Sequence, residues 1–113
     1  MLCTGNIGNP ETKAWITSLV PDPANAFFVK GEEDEEDLPL TQRLQVGNLT
    51  IGLIHGHQVT PWGDLESLTA VHNMIDCDIL VYGNTYTPKV MAKDGKFFVA
   101  PGSFTGIKHI TLE

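Results

Sequence analysis

Ile51-Gly52-Leu53-Ile54-His55-Gly56-His57-Gln58, with the Val59-Thr60-Pro61-Trp62-Gly63-Asp64 that follows it, is the stretch whose reading decides the fold. An apolar run of this length, rich in β-branched residues, predicts a buried strand. It runs into two histidines, a Pro-Trp-Gly turn and an aspartate placed to cap a helix. In α/β sheets, binding groups sit at the carboxyl end of a strand, on the loop before a helix. Two imidazoles there suit a metal or a proton relay.

Working outward, Leu65, Leu68, Val71 and Ile75 recur at helical spacing after the Asp64 cap. Ile79-Leu80-Val81-Tyr82 reads as a second buried strand, ending at Gly83-Asn84-Thr85. Upstream, Leu44 and Val46 alternate with polar residues, and Gly47-Asn48 makes a tight turn into Leu49-Thr50-Ile51. Downstream, Val90-Met91 and Phe97-Phe98-Val99 flank Asp94-Gly95 as another hairpin, closed by Pro101-Gly102-Ser103. A final strand is expected over Ile107 to Glu113.

The opening residues Leu2-Cys3 read as the tail of a strand entering a glycine loop. Asn9-Pro10-Glu11 is a helix start, with Asn as cap, Pro at the first helical position and an acid in the first turn. That helix is predicted to reach about Leu19, with Trp15, Ile16 and Leu19 as its buried stripe, and to end at Pro21 and Pro23. Ala26 to Val29 is a short strand, and Trp15, Phe27 and Phe28 are expected in the core. The whole pattern is α/β, with antiparallel hairpins mixed into a partly parallel sheet.

Composition narrows the function classes. The chain's 113 residues suffice for a single domain, 1–113. A formal net charge of −7 speaks against nucleic acid and against an anionic membrane surface as direct partners, because phosphate binding needs clustered Lys and Arg. Cys3 and Cys77 stand far apart, as expected of reduced thiols in a cytosolic protein, and Cys3 reads as an inert buried thiol. No run approaches membrane-spanning length and no secretory signal opens the chain.

The predicted strand ends collect Asn6, Glu32, His55, His57, Asn84 and Tyr86. This mixed nitrogen and oxygen set suits a divalent metal or a hydrogen-bonding pocket. The acidic run Glu32-Glu33-Asp34-Glu35-Glu36-Asp37 is expected to be a solvated loop, with Glu32 set apart by its place after Gly31. His72, on a helix, and His109 are expected at the surface. Trp62 reads equally as core packing or as an exposed aromatic anchor of an interface.

Leu2-Cys3-Thr4-Gly5-Asn6, Lys30-Gly31-Glu32, Ile54-His55-Gly56-His57-Gln58 and Pro101-Gly102-Ser103 resemble the calcineurin-like metallophosphoesterase family. Within it, the block from Gly52 to Asp64 and Asp78-Ile79-Leu80 are similar to its small retromer-subunit branch. The resemblance implies a metallophosphoesterase-like mixed sheet with flanking helices. It places Asn6, Glu32 and His55 at metal-ligand positions, for zinc or manganese. It also shows departures. The family opens with a strand and a Gly-Asp-x-His loop, and the chain is expected to lack that strand and the family's last strands. The family's Gly-His-Thr-His motif is here Gly83-Asn84-Thr85-Tyr86.

A two-metal phosphoesterase clamps the attacking and leaving oxygens between two ions. Losing even the groups behind the ligands costs about 10–100-fold, so losing ligands themselves should abolish turnover. The expectation is therefore a residual metal site, no working cofactor and no catalysis. The resemblance implies instead a scaffold subunit, cytoplasmic and peripheral on endosomal membranes. Its implied partners are the large α-solenoid subunit of retromer and retromer regulators. Val59, Thr60, Pro61, Trp62 and His57 would carry the docking surface, though Thr60 stands where the branch has a larger apolar residue. Two alternatives remain at this stage: a metal-dependent phosphodiesterase, and a truncated paralogue without an independent role.

Overall fold

The computed structural model describes residues 1–5, 10–31, 34, 37–59, 64–84 and 88–102. A five-stranded mixed sheet forms its centre, in the order β3-β4-β5-β7-β6. β3 (Thr41–Val46) and β4 (Leu49–Ile54) make one hairpin, and β6 (Lys89–Lys93) and β7 (Lys96–Ala100) the other. β5 (Ile79–Tyr82) lies between them, parallel to both β4 and β7. The predicted hairpins and the partly parallel sheet are thus present.

Both hairpin turns follow from their residues. Gly47 has φ 60° at the first central position, where a type II′ turn needs a positive value. Asp94 and Gly95 have φ 53° and 77°, as a type I′ turn requires of both central residues. These turns match the right-handed twist of the strands they join.

β4 and β5 are connected through α2 (Leu65–Ile75), which covers one face of the sheet. Asp64 caps it as predicted, its Oδ2 accepting from the backbone N–H of Ser67 at 3.0 Å. The helix ends at Asp76, in the left-handed region, whose N–H donates to the His72 carbonyl. Beneath it, Leu68 packs with Ile54, Leu80, Tyr82, Phe98 and Ala100. Gly52 lets the end of the helix approach closely: a Cβ there would lie 2.9 Å from Cys77 Sγ and 3.0 Å from Ile75. His72 is a correction to the sequence reading. It is fully buried, against the ring of Phe98, with Nε2 3.2 Å from the Asp78 carbonyl.

The opposite face is covered by a separate parallel ribbon, β1 (Leu2–Cys3) with β2 (Phe27–Phe28). Val29, Leu53 and Val81 form the core there, joined by Leu2, Phe27, Ile51, Ile79 and Val99. α1 (Pro10–Thr17) links the ribbon strands through a short 3₁₀ turn, Pro23–Asn25. Here a second expectation fails. α1 has no buried residue, and Trp15 and Leu19 are both more than half exposed. The helix stops at Thr17 and tightens, with Leu19 and Val20 donating to carbonyls three residues back. Phe28 is buried as expected, and Phe27 partly so. The strand expected over residues 107–113 and the cap at Asn9 lie outside the described residues.

Candidate functional site

Glycines bring the strand ends together. β1 leaves through Thr4 and Gly5, β2 through Val29 to Gly31, β4 through His55 to Gln58, and β5 through Gly83 and Asn84. At Gly5, φ +108°, a Cβ would lie 2.6 Å from the Gly31 nitrogen, so those two backbones touch. At Gly56, φ +106°, a Cβ would lie 2.5 Å from the Gly83 carbonyl oxygen. Gly83 in turn donates to the His55 carbonyl at 2.8 Å and lies against Thr4. Thr4 and Gly83 thereby join the ribbon's loops to those of the main sheet. The ends converge as the sequence implied, although they belong to two sheets rather than one.

The two histidines meet directly. His55 is buried, His57 half-buried, and their Nδ1 atoms are 2.9 Å apart. Their ring centroids are 5.0 Å apart and tilted by 50°. Two imidazole nitrogens at this distance share one hydrogen, so one ring donates and the other accepts. Gln58 steadies the turn, its Oε1 accepting from the Gly56 N–H at 3.2 Å. Val59 donates its N–H to the Gly56 carbonyl and sinks its side chain into the core beside Leu68. Val59 therefore forms the floor of this loop, where the sequence reading placed it on the docking surface.

Two further residues belong to the site. Asp34, read as part of a solvated acidic run, is only 8% exposed. Its Oδ2 accepts from the Gly31 N–H at 2.9 Å, and its own N–H donates to the Gly31 carbonyl at 3.3 Å. Burial pushes the nearby Cys3 thiol up, a bond with the Gly5 backbone opposes this, and the Asp34 charge adds to the rise. Asn84 sits in the left-handed region, φ 59°, with its side-chain nitrogen buried and without a hydrogen-bond partner. Asn84 was legible from its place after Gly83. Asp34 carried no signal beyond standing three residues after Gly31.

Asn6, Glu32, Thr60, Pro61, Trp62 and Tyr86 lie outside the described residues. Among the described residues, no three His, Cys, Asp or Glu side chains group to hold a metal ion. His55 and His57 meet through Nδ1, which leaves their Nε2 atoms for any further partner, and the Asn84 side-chain nitrogen is a buried donor. The described residues alone do not make up a two-metal centre.

The mixed sheet, its two helices and the gathered strand ends define a phosphoesterase-type fold. The chain belongs to the calcineurin-like phosphoesterase superfamily, whose domain pattern matches residues 1–111. It is similar to vacuolar protein sorting-associated protein 29 of Schizosaccharomyces pombe, 30% identical over 98% of this chain and 58% of that protein. A single-mutant Vps29 from Entamoeba histolytica superposes with a TM-score of 0.87 at 41% identity, covering 96% of this chain and 59% of that one. Wild-type Vps29 from the same organism, complexed with zinc, gives 0.80 at 42% identity over 90% of this chain and 56% of that one. The chain thus spans somewhat over half the length of these relatives. No helix among the described residues is long and apolar enough to cross a membrane.

Proposed function

We propose that this chain is a non-catalytic scaffold subunit of retromer type, acting in endosomal protein sorting and in retrograde and recycling transport. Its docking surface is centred on the strand-end histidines His55 and His57, to which the family resemblance adds Asn6, Glu32, Thr60, Pro61 and Trp62, and its partner is the large α-solenoid subunit. Through that complex it is peripheral on endosomal membranes. The observation that carries the reading is the likeness to Vps29 structures across nearly the whole chain. Its chemistry is consistent with this role. His55 and His57 meet through their Nδ1 atoms, and Asn84 stands where the family resemblance expects an imidazole ligand.

A pull-down with the C-terminal half of the solenoid subunit tests it directly. Retention at micromolar concentration is expected, and its absence would remove the reading. The superfamily pattern favours a second reading, a metal-dependent phosphodiesterase, and the proposal opposes it. With an aryl phosphodiester and added manganese or zinc, the chain should release product no faster than a protein-free control. Turnover abolished by His55→Ala would establish the second reading instead.

A further inference from the structure

We infer that Asp34 is a positioning residue for the docking face: its buried carboxylate locks the Gly31 turn against Gly5, the two residues that precede Glu32 and Asn6 in the sequence. The inference rests on the docking reading above.

Burying a carboxylate is costly unless it is hydrogen-bonded. Asp37, three residues on, shows that water is within reach of this segment, because it is exposed. The fold nevertheless takes Asp34 inside and sets its Oδ2 on the Gly31 N–H at 2.9 Å. A bond between a charged acceptor and a backbone donor is stronger than a neutral one. The return bond from Asp34 N–H to the Gly31 carbonyl closes the turn from the other side.

Gly31 is the residue against which Gly5 is packed. A Cβ at Gly5 would fall 2.6 Å from the Gly31 nitrogen and 3.0 Å from its Cα. The nitrogen that Asp34 holds is therefore also the one that Gly5 packs against. In the sequence, Asn6 follows Gly5 and Glu32 follows Gly31. One carboxylate thus holds the backbone just ahead, in sequence, of two residues that the family resemblance assigns to the site. An acidic run conceals this role, because five neighbouring carboxylates share its composition.

The test compares Asp34→Ala, Asp34→Asn and the exposed control Asp37→Ala in the full chain. Calorimetry reads affinity for the C-terminal half of the solenoid subunit, and amide exchange by NMR reads Gly31 and Gly5. Asp34→Ala should weaken binding about tenfold or more, the worth of one hydrogen bond to a charged group. It should also speed Gly31 and Gly5 exchange by a similar factor, with the Leu53, Leu80 and Phe98 amides unchanged. Asp34→Asn keeps an acceptor oxygen and should restore both readouts to within about threefold. Asp37→Ala should change neither. Equal losses in the Ala and Asn variants would mean that the charge itself meets the partner, and would overturn the inference. So would unchanged binding or unchanged Gly31 exchange in Asp34→Ala. A wild-type chain that fails to bind, with the exchange pattern as expected, would sink the docking reading while leaving the Gly31 lock standing.

Discussion

Phe98 and Phe97 are neighbours in one strand, and they face opposite sides of the sheet. Phe98 is fully buried beneath α2, whereas Phe97 is 47% exposed. The same contrast runs across the molecule. On one side an amphipathic helix of eleven residues, capped at both ends, lies over the sheet. On the other, a ribbon of two-residue strands reaches Leu53 and Val81 but leaves Leu49, Phe97 and Val90 largely uncovered. Alternation along a strand states that successive side chains part company. Which side gains a full cover depends on the elements that pack there.

Truncating each ring in turn separates the two faces. Phe98→Ala should cost about 3–5 kcal/mol in chemical denaturation, because it opens a cavity in a fully packed cluster. Phe97→Ala should cost about 1–2 kcal/mol, as roughly half of its ring is already in water. Equal losses would show that the two faces are equally closed.

A smaller effect is expected at the head of α2. Hydrogen bonds from the Ser67 backbone N–H, and then from its hydroxyl, hold the Asp64 carboxyl below the usual carboxylate range. A lowered folded value gives stability that is present above the unfolded value, about 3.9, and lost as pH falls through the folded one. Asp64→Ala should therefore lower the denaturation midpoint at neutral pH. The gap to wild type should narrow as the pH drops below about 4. Asp64→Asn, which keeps an acceptor without a titrating charge, should lie between them with no such narrowing.

The smallest effect is expected in α1. Trp15→Ala should change stability by no more than about 0.5 kcal/mol, as is usual for an exposed side chain. A loss above about 2 kcal/mol would mean that the indole is packed in solution, and would erase the difference between the two helices.

Much of this fold could be read from the residues. Gly47-Asn48 and Asp94-Gly95 announce the hairpins because few residue pairs accept those backbone angles. Leu65, Leu68, Val71 and Ile75 announce α2, and Asp64 announces its start. His72 is expected at the surface by its type, yet it stands four residues after Leu68, on the same buried stripe. Its polar type outweighed its position, yet one bond to the Asp78 carbonyl suffices to bury it. Trp15 and Leu19 depart from expectation for the converse reason: an apolar stripe is buried only when another element comes to meet it. At the site, the strand-end position of His55 and His57 was legible from the block they share. Their Nδ1 contact, and the inward turn of Asp34, depend on loop backbone paths that no spacing rule specifies.

The contact between the two imidazoles couples their tautomers. While both rings are neutral, the ring that donates through Nδ1 keeps a lone pair at Nε2, and the ring that accepts must carry its hydrogen at Nε2. The pair thus holds one proton-bearing and one proton-free Nε2, and reversing one ring reverses the other. A group that hydrogen-bonds to either ring selects the tautomer of both.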